Sequence, residues 1–325
     1  MGDDRDAKKG EPALSAGTQS DAGPQPQMSG KQEALAAFDE HHRLLFSIAY
    51  RMLGTRADAE DMVQETFLRW QKASDTEIRD PRAFLVTVIT RLCINQLQSA
   101  RVKREQYFGQ WLPEPLPTGA SPEAIPMTGI DGSLSMAFLM LLERLTPMER
   151  AVFLLREVFE YQYAEIARTL GQSEANCRQI LRRAKQHIAK DRPRFVVSRE
   201  QQEKLLQQFL ETSEQGDMQG LLALLSEDVV LYTDGGGKAT AVPNPIYGAE
   251  RVGRFFFGAR EKLMPKEFVR CLTEINGQPA VVAYHQGRAV GVLTMDVAKG
   301  RIRNIYIVRN PDKLRKIQGL PSAPC

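Results

Sequence analysis

The sequence predicts a multidomain chain in which two all-α units precede an α+β unit built on a meander of antiparallel strands. Three observations predict it. At 325 residues the chain is long for a single core. Apolar residues recur at helical spacing in two stretches separated by a proline-rich segment. After Ser198 the periodicity shifts toward strand alternation, punctuated by dipeptides suited to tight hairpin turns.

The elements follow in order. Residues 1–30 are rich in Gly, Pro, Ser, Gln, Asp and Lys with almost nothing apolar to bury, the composition of a disordered tail, and Met28 is an alternative start. The first helical unit is placed at 31–108. Leu35, Phe38, Leu45, Ile48, Ala49 and Met52 share one helix face, and Val63, Phe67 and Trp70 another, with Asp58 as cap of the second helix. Asp80-Pro81 opens a third helix: Asp80 caps free amide groups, and Pro81 suits the first helical position, where its missing N–H costs nothing. Pro113, Pro115, Pro117, Pro122 and Pro126 mark 109–132 as a linker. The second helical unit runs over 133–194 and Pro193 closes it. The third occupies 198–318, before a short tail at 319–325. In it Ser198 and Gln201 form a capping pair for a helix through Leu205, Leu206, Phe209 and Leu210, which Gly216-Asp217 breaks. Asn276-Gly277, Gln286-Gly287 and Lys299-Gly300 are then turns of an antiparallel meander. Each unit is long enough to bury its own core.

Net charge says little, with Lys+Arg 43 against Asp+Glu 40. Its distribution says more. Basic side chains crowd two stretches, Arg91, Arg101, Lys103 and Arg104, then Arg178, Arg182, Arg183, Lys185, Lys190, Arg192 and Arg194. Each is a candidate phosphate-binding surface or a solvated helix face. Cys93, Cys177, Cys271 and Cys325 lie far apart without a C-x-x-C pair, which suggests neither a zinc site nor a disulfide framework and fits a reducing cytosol. No segment near the start has the basic-then-apolar order of a signal peptide, and apolar runs such as Ala137 to Leu142 are too short to span a bilayer. The expectation is a cytoplasmic protein with no membrane partner, metal or cofactor.

The strongest local signal runs from Tyr163 to Lys185. Ile166, Ala167 and Leu170 pack one helix, Gly171 allows a tight turn, and Cys177, Ile180 and Leu181 anchor a second, which is a helix-turn-helix. Ser173 is placed to cap the second helix. Asn176, Arg178, Gln179, Arg182 and Arg183 then point outward, residue types that read base edges or neutralise phosphates. The ordinary alternative is an αα-hairpin with a basic outer face. The helix around Asp58 to Trp70 differs: Asp61, Gln64, Glu65 and Leu68 form an outer stripe of acids with an apolar residue, which suits a protein partner better than DNA.

Asp58-Ala-Glu-Asp-Met-Val-Gln-Glu-Thr-Phe-Leu-Arg-Trp70 resembles region 2 of the extracytoplasmic-function sigma factors of the sigma-70 family. Leu145-Thr-Pro-Met-Glu-Arg150 with the helix-turn-helix resembles their region 4, in the right order and at the right separation. The resemblance implies a group IV RNA polymerase sigma factor, which directs core polymerase to specific promoters and initiates transcription. It implies that Asp61, Gln64, Glu65 and Leu68 bind the β′ clamp helices of core RNA polymerase, with the β subunit as a further partner. Phe84, Arg91, Gln98, Arg101, Lys103 and Arg104 would melt and grip the −10 element of promoter DNA. Ser173, Asn176, Arg178, Gln179, Arg182 and Arg183 would face the double-stranded −35 element.

Minimal members end after region 4, whereas this chain continues for about 130 residues. Trp111-Leu-Pro-Glu-Pro115, Asp234-Gly-Gly-Gly-Lys238 and Asn310-Pro-Asp-Lys-Leu314 resemble the subgroup whose extension is a SnoaL-like domain of the nuclear-transport-factor-2 superfamily. The fold implied is a cone with a curved antiparallel sheet, acting as a fused regulator. Regulatory contacts are expected at Trp111, Asp234, Gly235, Gly236, Gly237, Lys238, Asn310, Pro311, Asp312, Lys313 and Leu314, together setting how the two helical units are spaced.

The Asp234 to Lys238 loop lacks the G-x-x-x-x-G-K-[ST] spacing, and Ala239 follows the lysine, so a conformational loop is favoured over a nucleotide site. Tyr232, Asp234, His285 and Tyr306 are candidates to point into the cone, but no paired acid and base is discernible there, so the chain is expected not to be an enzyme. An unknown small ligand in this domain is a further expected partner, on fold analogy. Two other readings remain. One is a helix-turn-helix regulator with a ligand-sensing C-terminal domain and no sigma activity; the other is a SnoaL-like enzyme with a DNA-binding appendage.

Overall fold

The computed structural model describes residues 30–73, 78–105, 107–118, 134–189, 198–263 and 267–317. Both expected tails, Met28, the later part of the linker, and Lys190 to Arg194 lie outside the described residues. So do the side chains of Arg101, Lys103 and Arg104.

The first unit is three helices, α1 (Gly30–Leu53), α2 (Arg56–Ala73) and α3 (Pro81–Glu105). Gly54 ends α1 at φ +77°, a left-handed conformation that glycine adopts without strain. A side chain there is also barred by space, since a Cβ would lie 2.6 Å from the Trp111 ring. The cap of α2 is Thr55 rather than Asp58: the Asp58 amide donates to Thr55 Oγ1, and the Thr55 hydroxyl donates back to the Asp58 carboxylate. Asp58 thus sits inside the first turn, where its charge still suits the helix N-terminus. Asp80 caps α3 as expected, accepting from the Ala83 amide at 2.9 Å.

The second unit comprises α4 (Met136–Leu142), α5 (Pro147–Phe153) continuing into a π-helical turn Leu154–Val158, α6 (Tyr163–Leu170) and α7 (Glu174–Ile188). Thr146 and Glu149 close a capping box on α5, Gly171 turns the chain at φ +64°, and Ser173 caps α7 through the Asn176 amide at 3.1 Å. The two helical units do not keep separate cores. Phe38, Leu45, Leu85 and Ile89 of the first share one continuous apolar cluster with Leu139, Phe153, Ile166 and Ile180 of the second. Arg150 ties them further: it is 3% exposed, and its Nη1 donates to the Met52 carbonyl at 2.6 Å and to Glu143 at 2.8 Å.

The third unit is α+β: α8 (Arg199–Gln215), α9 (Met218–Leu224), β1 (Leu225–Asp234), β2 (Ile246–Tyr247), α10 (Ala249–Leu263), β3 (Val269–Ile275), β4 (Gln278–His285), β5 (Arg288–Ala298), β6 (Arg301–Val308) and α11 (Pro311–Leu314). The sheet order is β2-β1-β6-β5-β4-β3. The three dipeptides turn the β3 to β6 meander, all with positive φ at both residues, the signature of hairpin turns that match strand twist. One pair departs from the expected antiparallel pattern, for β1 runs parallel to β6. Cys93 and Cys177 are buried free thiols, and Cys271 on β3 is buried as well.

Both faces of the sheet are covered. Leu206 and Phe209 of α8, Leu221 of α9 and Val252 of α10 pack on one face, over Val281, Met295 and Ile305. Leu112, Met136, Ala137, Leu314 and Ile317 pack on the other, over Val282, Val292, Tyr306 and Val308. Helix α4 is therefore buried on two sides: Met136 and Ala137 meet the sheet while Leu139 and Leu142 enter the helical core. That is why its sequence, MAFLMLL, is apolar all round.

Leu112 has no exposed surface, whereas Leu272 on the edge strand is 59% exposed. Leu112→Ala is expected to lower unfolding free energy by about 2–5 kcal/mol. Leu272→Ala should stay within about 0.5 kcal/mol, both read from guanidinium denaturation.

Candidate DNA and polymerase interfaces and the latch between domains

Along α2, Ala59, Val63 and Trp70 are buried, leaving Asp61, Gln64 and Leu68 exposed and Glu65 half-buried on the outer side. Leu68 is 44% exposed, an apolar side chain ringed by polar ones. Glu65 pairs with Arg69 at 2.9 Å, a helix-surface contact worth little stability. The stripe is free to meet a partner.

The two basic faces fare differently. On α7 the side chains of Gln179, Arg182 and Arg183 are exposed. Arg178 pairs with Glu174 at 2.7 Å and lies over the Tyr163 ring, while Asn176 donates to Gln172 at 2.8 Å, so these two are preset by neighbours. On α3 Gln98 is exposed, but Phe84 is half-buried against Trp70, at 5.7 Å between ring centroids, and belongs to the helical core's margin. Arg91 is occupied: its Nε donates at 2.8 Å to the Thr169 carbonyl at the end of α6. Arg82 lies over the Tyr161 ring and Thr87 faces Thr169, so the middle of α3 is covered by the helix-turn-helix scaffold.

The three motifs, at Trp111, Asp234 and Asn310, meet in one place. Asp234, at the end of β1, has no exposed surface. Its Oδ1 accepts from the Tyr107 hydroxyl at 2.7 Å and the Gly236 amide at 3.0 Å. Its Oδ2 accepts from the Leu112 amide at 3.0 Å and Lys313 Nζ at 2.7 Å. Lys313 is also buried, donates to the Leu112 carbonyl, and stands 4.4 Å from the centroid of Trp111. Asn310 caps α11, with Pro311 in the first turn, and donates to Tyr107 Oη at 2.8 Å; Lys238 pairs with Asp312; Leu314 is buried beside Leu112. Burial and the Asp234 charge push the Tyr107 phenol well up, so it remains a donor.

The glycines serve this packing. A Cβ on Gly236, at φ +59°, would lie 2.3 Å from Asn310 Nδ2, and one on Gly235 would lie 2.1 Å from the Ala239 carbonyl. Gly237, at φ +70°, lies against Phe108. The loop amide of Gly236 holds the Asp234 carboxylate.

Sequence reading missed a second knot on the same linker. Tyr50 Oη donates to the Glu114 carbonyl at 2.6 Å and accepts from Asn276 Nδ2 at 2.7 Å. Asn276 Oδ1 accepts from the Leu116 amide, and Glu114 Oε2 accepts from the Arg56 amide at 2.9 Å. Asn276 had been visible as a turn residue, but its partner lies 226 positions away, and no local pattern reports that. The linker from Trp111 to Pro117 is thus bound between α1 and the sheet, with Leu112 and Leu116 fully buried.

Tyr232, Asp234, His285 and Tyr306 do not converge inside the third unit. Tyr232 and Tyr306 stack at 5.4 Å on the face toward the helical units, and His285 meets the Glu267 carbonyl at 2.6 Å. Thr233, Ile307 and Arg309 line the interior instead, because alternate strand residues face opposite ways. Among the described residues no cluster of metal-ligating side chains occurs and no helix is long and apolar enough to cross a membrane.

Two family models match the chain: Sigma-70 region 2 over residues 37–102 and Sigma-70, region 4 over residues 135–188. The ECF RNA polymerase sigma factor SigJ of Mycobacterium tuberculosis is 34% identical over 293 residues, 86% of this chain and 92% of the relative. The probable ECF RNA polymerase sigma factor SigI of the same organism is 34% identical over 289 residues, 88% of this chain and 97% of the relative. The crystal structure of the Mycobacterium tuberculosis SigJ superposes with a TM-score of 0.70 at 31% identity, covering 87% of this chain and 98% of that one.

Lys313→Met leaves the Asp234 carboxylate buried without its counter-charge, an expected loss of about 3–5 kcal/mol. Hydrogen exchange at the Leu112 amide should accelerate in the same variant. Burial raises the Glu114 carboxyl despite the Arg56 amide. A raised folded-state pKa favours the protonated form, so wild type loses stability as pH climbs from the ordinary carboxylate range through the raised value. Glu114→Gln should match wild type below that range and melt higher above it, read by thermal melts across pH.

Proposed function

The chain belongs to the extracytoplasmic-function sigma factors, and on that premise we propose that its third unit is a built-in regulator that holds the two promoter-reading units together. As a sigma factor it acts with core RNA polymerase and promoter DNA. The outer stripe of α2, exposed Asp61, Gln64 and Leu68 with half-buried Glu65, is our site for the β′ clamp helices, since it offers an apolar centre in a polar rim. The exposed Gln179, Arg182 and Arg183 on α7, with Arg178, Asn176 and the Ser173 cap, are our reading surface for the −35 element. Gln98, Arg101, Lys103 and Arg104 on α3, beside Phe84 and Arg91, are our contact for the −10 element. The relatives' common name favours promoter selection.

The observation that carries the regulatory reading is the Asp234 knot. One carboxylate binds the segment before the linker, the linker itself, the glycine loop and the last helix. While it is closed, α6 occupies Arg91, and the two reading helices cannot separate to meet two promoter elements. Opening must break the knot, so weakening the knot shifts the population toward the open form.

Run-off transcription with core enzyme tests this. Asp234→Asn keeps the shape but removes the charge, and it should raise output from a cognate promoter over wild type. Unchanged or lower output contradicts the latch. Leu68→Asp should abolish co-elution with core polymerase. Arg182→Ala should reduce the salt dependence of promoter binding by about one unit of slope if that side chain contacts a phosphate.

A further inference from the structure

The third unit carries a half-open cavity of about 150 Å³ on the sheet face away from the helical units. Phe209, Phe255, Phe256, Val281, Leu293 and Ile307 make its walls. Such a volume holds an apolar body about the size of one aromatic ring. Its polar members are few, and two carry unmet bonding capacity: Ser213 Oγ and Arg309 Nε are covered from solvent and have no hydrogen-bond partner.

Arg309 is the informative one. The other cavity guanidinium, Arg270, is paired with Glu214, whereas Arg309 has no carboxylate partner among the described residues. Its Nη1 leans on the Thr240 carbonyl at 2.8 Å. Burial without a counter-charge disfavours its charged state and lowers its pKa. A cation in that condition is stabilised by any anion that reaches it, and a bidentate carboxylate suits its planar fork.

Its position connects cavity and knot. Arg309 precedes Asn310, its amide donates at 2.7 Å to the Asp234 carbonyl, and its side chain pins Thr240 at the end of the glycine loop. We propose that this cavity binds a small apolar carboxylate, a one-ring or short-chain acid, with Arg309 as the charge partner. Binding draws the guanidinium from the Thr240 carbonyl and loosens the glycine loop, a coupling that rests on the latch reading above.

The test is calorimetry on the full chain, with benzoate as the probe and benzyl alcohol as its neutral counterpart of similar size. Benzoate is expected to bind at least about ten-fold tighter than the alcohol. Arg309→Gln should abolish that preference while the alcohol's affinity stays unchanged. Should that variant fold poorly, Ala283→Leu, which fills the wall without touching the charge, should weaken both probes. Equal affinity for the two probes in wild type, or no heat from either at about 1 mM, overturns the site. In the same samples benzoate should speed hydrogen exchange at the Leu112 amide, and an unchanged rate in the saturated protein overturns the coupling. Asp234→Asn should still bind benzoate, so a failed latch and a failed site give different results.

Discussion

The arrangement of this protein depends on a carboxylate that has nowhere else to go. Asp234 is fully buried, and an ionised carboxylate at such depth is tolerable when its lone pairs are used and a cation neutralises it. Tyr107, Leu112, Gly236 and Lys313 use them, each from a different stretch of chain. A fully used acceptor of this kind fixes register more than it adds stability, since replacing a buried pair with apolar groups is often neutral while removing one member is not. The interaction therefore specifies one docking of linker, loop and terminal helix.

Apolar packing supplies the cohesion that the knot directs. Helix α4 lends one face to the sheet and the other to the helical core, so the third unit cannot leave without exposing Met136, Ala137 and Leu112. The shared helical core and the buried Arg150 make the two helical units one body. Separating these units would repack several surfaces, so the proposed latch would act by tipping an equilibrium between two packed arrangements.

Much of this was legible locally. The helix-turn-helix, with Gly171 and the Ser173 cap, follows from i, i+3, i+4 spacing; Asp80 and Ser198 cap where their neighbours allow; the three hairpin turns sit where their glycines put them. Thr55 rather than Asp58 caps α2 because the helix starts nearly one turn earlier than its apolar face reveals. The linker's prolines read as a spacer, yet between them Leu112 and Leu116 are buried and their amides are bound by Asp234 and Asn276. Which face of the sheet carries the cavity was not legible. With both faces covered, a strand's alternation identifies two sets of residues without saying which set meets the helical units, and Tyr232 and Tyr306 belong to the set opposite the one expected. Tyr107, Tyr50 and Arg150 act through partners far off in sequence, and no spacing encodes that.

The central claim is that a buried charge pair holds the two reading helices closed. Spin labels at exposed Gln98 on α3 and Gln179 on α7 measure that separation directly, by pulsed electron resonance on the full chain. Wild type should give one short distance, and Asp234→Asn should add a second, longer population. Identical distributions in the two proteins would contradict it.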